Sequence, residues 1–105
     1  MKLWIDDVRP APEGYVLCRS VEDAKYCIKR SEAPSINGVV FEPIELIDID
    51  HDAGDYANDG GDYIKLLDWL EETGRNYSIR IHSMNPVGVE NMRRIVKRNG
   101  WTEIK

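Results

Sequence analysis

Three short apolar runs, each followed at once by charged or imidazole side chains, constrain the fold of this chain more than any other feature. Runs of this length, bounded by polar residues, are typical of β-strands. Because the carboxyl ends of parallel strands meet at one edge of an open sheet, we expect the polar clusters to converge there. The three runs with their clusters are Leu3-Trp4-Ile5-Asp6-Asp7, Ile47-Asp48-Ile49-Asp50-His51-Asp52 and Ile79-Arg80-Ile81-His82-Ser83.

Helix signals separate these runs. Ser20 is a typical N-cap before an apolar stripe that extends to about residue 30, and Asn85 followed by a proline opens a helix that ends at Asn99-Gly100. The pattern also predicts a helix over residues 62–73. Strands are predicted over residues 2–5, 15–18, 46–50, 78–82 and 101–104.

The predicted order β-β-α-β-α-β-α-β is typical of an α/β protein with a mainly parallel sheet of about five strands, flanked by helices. The length of 105 residues suits one compact domain, residues 1–105. Two prolines and a glycine exclude a helix from residues 9–14. The run Val39-Val40-Phe41 is an edge strand at best, because Pro43 follows it closely.

Composition excludes several classes of function. The net charge of −5 argues against a protein that binds nucleic acid by charge alone, and no DNA partner is predicted. No apolar run approaches the ~20 residues that span a membrane. Cys18 and Cys27 lack the spacing of a zinc site and are typical of small buried apolar residues, so a reducing cytoplasmic location is expected.

The acidic clusters predict a divalent-cation site. Carboxylate oxygens are the ligands that Mg²⁺ and Mn²⁺ prefer, which makes Asp6, Asp7, Asp50 and Asp52 candidate metal ligands. The simpler alternatives are a turn at the end of the first strand and a solvated acidic loop at residues 50–52. Asp48 either lies at the rim of the sheet or binds the same cation, since a central strand should be apolar there.

The imidazoles and the last strand-to-helix junction predict acid–base chemistry on a phosphate. His82 and His51 are candidate proton carriers, with Asp50 beside them. The junction at residues 83–86 presents free N–H groups and the positive end of a helix dipole, and with Arg9 it would clamp phosphate oxygens through Ser83 and Asn85. The alternative is that Asn85 is only an N-cap and His82 a core residue with its partners inside the fold.

Taken together, these motifs resemble one known family, the cyclic-phosphate processing receiver-like family. The residues that carry the resemblance are Asp6-Asp7-x-Arg9-Pro10, Asp50-His51-Asp52-x-Gly54 and His82-Ser83-x-Asn85-Pro86-x-Gly88-x-x-Asn91-Met92. The resemblance implies a degenerate response-regulator receiver: a three-layer, flavodoxin-like fold that lacks the first and last receiver helices. It also implies a role in handling cyclic phosphates, either RNA 2′,3′-cyclic ends, as in RNA repair, or signals derived from nucleotides.

The receiver analogy assigns roles to individual positions. Asp6 and Asp7 match the acidic pair that holds Mg²⁺, Asp50 matches the phospho-accepting aspartate, and Ser83 resembles the hydroxyl residue after the fourth strand. A receiver also needs a lysine after its fifth strand, and only Lys105 is available for that role. Ala53 stands where the family usually has leucine.

Two functions follow from these predictions. The first is a phosphoesterase that uses Mg²⁺ or Mn²⁺ to hydrolyse a cyclic phosphate of a nucleotide or RNA end. The second is a non-enzymatic receiver-like module that binds Mg²⁺ or a phosphorylated ligand, with Asp50 as phosphoacceptor. A metal-free mechanism with two histidines is a minor variant of the first, since the usual His-x-Thr/Ser pairs are not both present.

Overall fold

The computed structural model describes residues 1–34, 38 and 42–105. The predicted alternation of strands and helices is confirmed, and residues 39–41, predicted as an edge strand at best, lie outside the described residues. The elements are β1 (Lys2–Ile5), β2 (Tyr15–Cys18), α1 (Val21–Glu32), β3 (Leu46–Ile49), a 3-10 helix (Gly54–Asn58), α2 (Ile64–Glu72), β4 (Ile79–Ile81) and α3 (Pro86–Asn99).

The sheet is parallel throughout, with the strand order β2-β1-β3-β4. This is the order of flavodoxin-like proteins, in which the connections reverse direction between β1 and β3. The register places Ile5 opposite Ile49, so the residues that follow these two strands lie side by side. Open α/β sheets bind ligands at such a switch point.

The prediction of about five strands is wrong by one, because the described residues form four. Residues 101–104 were predicted as the last strand, but only Glu103 forms a bridge, with Ile79. Gly100 adopts a left-handed conformation with φ 68° and turns the chain directly after α3. Trp101 then enters the core, which leaves too short a segment for a ladder.

Helices α1 and α3 begin where the capping residues predicted them. The Ser20 hydroxyl accepts a hydrogen bond from the amide of Asp23 at 3.0 Å, and Asn85 Oδ1 accepts one from the amide of Gly88 at 3.0 Å. These bonds satisfy amide groups that the first turn of a helix cannot satisfy internally. None of the described helices is long and apolar enough to cross a bilayer.

The two faces of the sheet differ in what they carry. One face packs its fully buried residues, Leu3, Ile5, Ile47, Ile49 and Ile79, with side chains of the helices in a single core cluster. The opposite face presents the row Trp4, Asp48 and Arg80, which are register partners in β1, β3 and β4. No described helix packs on this row, in keeping with the predicted loss of the first receiver helix: residues 6–14, between β1 and β2, contain none.

Candidate functional site

Three carboxylates meet at the switch point of the sheet. Asp6 and Asp7 follow β1, Asp50 follows β3, and one oxygen of each lies within 4.8 Å of the others. The ladder extends one residue beyond the strands to hold them: the Asp50 amide donates to Ile5 at 2.9 Å, and the Asp6 amide donates to Cys18 at 3.3 Å. We call Asp6, Asp7 and Asp50 the acidic cluster.

The cluster is electrostatically unfavourable as it stands. Burial raises the pKa of Asp7, and the neighbouring charges of Asp6 and Asp50 raise it further. Two unit charges at this spacing repel by roughly 3–4 kcal/mol at an effective dielectric constant of about 20, before solvent at the half-exposed Asp7 and Asp50 reduces the value. A bound divalent cation would turn this repulsion into attraction.

Asp6 is fully buried yet keeps its negative charge. Burial raises its pKa, but hydrogen bonds from the amides of Arg9 and Val8 and from His82 outweigh this effect, and the pKa is lowered overall. Both amides donate to Oδ1 at 2.9 Å. The loop after β1 therefore wraps around the carboxylate and fixes its orientation.

The donor set fits a hard cation such as Mg²⁺ or Mn²⁺, because these ions prefer carboxylate oxygens as ligands. Gly54 supports this fit, because it approaches the cluster where a side chain could not. A Cβ at Gly54 would collide with Oδ2 of Asp7, and the φ of +55° also favours glycine. Asp52, the fourth predicted ligand, is not part of the cluster.

His82 contacts the acidic cluster, and both of its ring nitrogens are hydrogen-bonded inside the protein. Nε2 is 2.9 Å from Oδ2 of Asp6, and Nδ1 is 2.6 Å from Oδ1 of Asp48. Its side chain is only 8% exposed. A neutral imidazole has one N–H, so the ring can donate to both carboxylates only as the imidazolium cation.

Asp48 and Trp4 complete the surroundings of this imidazole. Asp48 is fully buried, and its second oxygen accepts a hydrogen bond from Arg80 at 3.0 Å. The indole of Trp4 stacks on the ring of His82 at 3.8 Å between centroids and 4° between planes. Of the two alternatives predicted for Asp48, rim or cation ligand, neither describes this buried contact with a histidine and an arginine.

His51 has a different environment, with one ring nitrogen held and the other free. Nδ1 lies 2.9 Å from Oδ1 of Asp52, and no described residue is bonded to Nε2. Both carboxylate oxygens of Asp52 lie 3.5 Å from Nδ2 of the Asn85 side chain. The ring packs so closely on the start of α3 that a Cβ at Gly88 would collide with it. A carboxylate that accepts the Nδ1 proton leaves the Nε2 lone pair free to accept another proton.

The predicted phosphate-binding residues surround the end of β4. Arg9 is exposed and donates through one guanidinium nitrogen to the carbonyl of His82 at 3.1 Å. The hydroxyl of Ser83 accepts a hydrogen bond from the backbone amide of Asn85 at 3.1 Å. The side-chain oxygen of Asn85 already accepts a hydrogen bond from the amide of Gly88, as the N-cap of α3. Arg9 is therefore the member of this group with the most free donors.

Two further residues support the cluster and were not predicted. Arg19 donates to the carbonyls of Asp6 and Arg9, both at 3.1 Å, and so ties the loop after β1 to the end of β2. The hydroxyl of the buried Tyr63 donates to the Arg19 carbonyl at 2.7 Å. Burial, with the charges of the acidic cluster, raises the Tyr63 pKa, so this hydroxyl stays a donor. The sequence signal for Arg19 is that it is a basic residue directly after β2, the strand that pairs with β1.

The receiver lysine has no clear counterpart in the described residues. Lys105 is exposed and makes no ion pair with the acidic cluster. No pocket is found among the described residues. A ligand would be held by charge and by a few exposed donors.

A protein-family model matches most of the chain. The sequence model of a family described as the cyclic-phosphate processing receiver domain matches residues 1–98 of the chain. The matched range extends from β1 into the last turn of α3 and includes the acidic cluster, His51 and His82. No curated protein and no solved structure matches the chain.

Proposed function

The chain belongs to the cyclic-phosphate processing receiver domain family, and from that premise we propose that it is a phosphoesterase dependent on a divalent cation. Its substrate would be the cyclic phosphate of a nucleotide or of an RNA end. The observation that supports this most is the convergence of Asp6, Asp7 and Asp50 within 4.8 Å. His51, the residue after Asp50, has one free ring nitrogen.

The acidic cluster would hold Mg²⁺ or Mn²⁺. When bound, such an ion neutralises phosphate charge and lowers the pKa of water. The protein contributes fixed carboxylates: Asp6 is oriented by the amides of Val8 and Arg9 and by His82, so it does not have to reorganise on binding.

His51 is the better candidate of the two histidines for proton transfer. The water oxygen forms a bond to phosphorus, one ring P–O bond breaks, and the leaving oxygen must gain a proton. Nε2 of His51 would accept the proton from water and return it to the leaving oxygen, while Asp52 holds Nδ1 at 2.9 Å. His82 has both nitrogens engaged, so we assign it to holding Asp6 rather than to proton transfer.

Arg9 would bind the phosphate from the side of the β1 loop. It is exposed, and only one of its nitrogens is used by the carbonyl of His82.

The test is turnover of nucleoside 2′,3′-cyclic monophosphates and of a short RNA with a 2′,3′-cyclic end, with Mn²⁺ present. We expect ring opening to a phosphomonoester that chelation of the metal stops. His51→Gln should lower kcat by about 10²–10⁴-fold, and Asp50→Asn should abolish turnover. Asp55→Asn, which removes an exposed carboxylate of the nearby 3-10 helix, is the matched control. Failure of the wild-type protein on every cyclic phosphate would overturn the proposal.

A second candidate function is favoured by the position of Asp50. It follows β3 beside the pair that follows β1, as the phosphoacceptor of a receiver does, and its carboxylate is half-exposed. In that case acetyl phosphate with Mg²⁺ would add one phosphoryl group to the chain, and Asp50→Asn would prevent it. Intact-mass spectrometry distinguishes a labelled chain from a consumed substrate.

A further inference from the structure

Two thiols face each other at the end of β2, on the helix side of the sheet. The Cys18 thiol donates to the Cys27 sulfur, with the two Sγ atoms 3.8 Å apart, and both cysteines are free. Cys18 is fully buried, whereas Cys27, on α1, is partly exposed. The pair therefore combines one sulfur that solvent reaches with one that it does not.

From this geometry we propose that Cys18 and Cys27 form a redox-sensitive pair that closes to an intramolecular disulfide when a hydroperoxide oxidises Cys27. The sulfurs must approach from 3.8 Å to about 2.05 Å for the bond to form. The modification needs neither a metal ion nor a phosphate ligand, so it stands apart from the proposed hydrolysis.

The oxidation has two steps. The Cys27 thiolate attacks the peroxide oxygen, the O–O bond breaks, and Cys27 becomes a sulfenic acid while hydroxide leaves and is protonated to water. The Cys18 sulfur then attacks the Cys27 sulfur, the S–O bond breaks, and the hydroxyl leaves as water with the proton of Cys18. The peroxide gains two electrons, and the two thiols lose these two electrons as the disulfide forms.

The surroundings favour Cys27 as the sulfur that is oxidised first. The hydrogen bond from Cys18 lowers the Cys27 pKa to about 7, against the opposing effects of burial and of the Asp23 charge. The same contact raises the pKa of Cys18, together with burial, so Cys18 remains a thiol. A thiolate that solvent reaches, beside a second thiol that can resolve it, is the arrangement of a redox-sensing cysteine pair.

The test treats the reduced protein, freed of reductant, with hydrogen peroxide. We expect the wild-type chain to lose both free thiols and two hydrogen atoms without gaining oxygen. Trypsin should then release residues 3–19 joined to residues 26–29 until a reductant is added. Cys27→Ser should slow thiol loss at least tenfold, and Cys18→Ser should leave a sulfenic acid that dimedone traps.

Three results would overturn the proposal. They are a wild-type chain that gains oxygen without the cross-link, disulfide-linked dimers through Cys27, and thiol loss no faster than in Cys27→Ser. Because Cys18 is buried and its serine variant can fail to fold, the partly exposed Cys27→Ser variant and the peptide map decide the matter by themselves.

Discussion

Nε2 of His82 lies 2.9 Å from Oδ2 of Asp6, so the histidine contacts the fully buried member of the acidic cluster. Nδ1 is bonded to Asp48 and the ring is stacked on Trp4, so His82 is part of the buried framework. His51, the residue after Asp50, has a free Nε2 and is the proton carrier in the proposed hydrolysis. The two histidines therefore predict different mutant phenotypes.

His82→Ala should destabilise the fold by about 3–5 kcal/mol, because it removes the hydrogen-bond partner that the buried carboxylates of Asp6 and Asp48 share. His51→Ala should change the free energy of unfolding by less than about 1 kcal/mol, since one partner of that contact, Asp52, is exposed. Urea denaturation of both variants measures the difference. Equal losses of stability would contradict the assignment of His82 to the framework.

Asp48 and His82 should be coupled energetically. In the double-mutant cycle of His82→Ala and Asp48→Ala, the two losses should overlap, with an interaction energy on the order of 1–3 kcal/mol. The reason is that the two side chains contact each other directly, so either single substitution already removes the contact. Additive losses of unfolding free energy would show that the 2.6 Å contact contributes nothing specific.

Occupation of the acidic cluster should stabilise the protein. A ligand at 100 times its dissociation constant adds about 2.7 kcal/mol, which corresponds to a Tm increase on the order of 10 °C for a domain of this size. Asp7→Asn should remove the increase with Mn²⁺ and raise the Tm of the metal-free protein, because it relieves the repulsion among the three carboxylates. Asp55→Asn is the control, and a Tm that ignores divalent ions in the wild type contradicts the site.

Gly54→Ala should weaken cation binding more than backbone strain alone explains. A Cβ at Gly54 collides with the Asp7 carboxylate, and the φ of +55° adds about 1 kcal/mol of strain. Gly74 has a φ of +68° with nothing within 4 Å, so Gly74→Ala carries the strain without the collision. Calorimetric titration with Mn²⁺ should show a raised Kd in Gly54→Ala only; a parallel change in both variants would argue against the close approach.

Gly88→Ala should lower the activity of the protein without lowering its stability. Alanine is favoured over glycine inside a helix by about 1 kcal/mol, and Gly88 lies within α3 without an unusual φ. Its Cβ would nevertheless displace the ring of His51. Turnover of the cyclic phosphate should therefore fall toward that of His51→Gln while Mn²⁺ still raises the Tm, and full activity in Gly88→Ala would rule out His51 as the proton carrier.

The Cys27 thiol should react at lower pH than an ordinary cysteine. A pKa of about 7 instead of 9.0 makes half of the thiol a thiolate near neutral pH, so the rate of alkylation by iodoacetamide should rise through an inflection near pH 7. In Cys18→Ala the hydrogen bond that lowers the pKa is lost, and the inflection should move upward. An unchanged profile in that variant would contradict the assigned cause.

The local rules of sequence were sufficient for most of the fold. Ser20 and Asn85 start their helices as predicted, because capping depends on a residue and its next three neighbours. The last strand failed because its pairing depends on where Trp101 packs, which is a property of the whole core. Strand ends were predictable for the same local reason, and they brought Asp6, Asp7 and Asp50 together.

The partners of each site residue were less predictable. Asp48 looked misplaced in a central strand, but it sits on the sheet face that no described helix covers and pairs there with His82 and Arg80. Asp52 is a predicted metal ligand, but its carboxylate lies outside the acidic cluster and 2.9 Å from Nδ1 of His51. Adjacent polar residues after a strand point in different directions, and only the packing of the following loop decides which of them reaches the cluster.

The position of a bound cation tests the central claim most directly. In a ¹H–¹⁵N correlation spectrum, substoichiometric Mn²⁺ should first broaden the amide signals of Asp6, Asp7 and Asp50, with those of His51 and Gly54 next. Asp50→Asn should require a much higher Mn²⁺ concentration for the same effect. Broadening centred on the aspartates of residues 55–62, or no site-specific broadening at all, would contradict a cation site at the ends of β1 and β3.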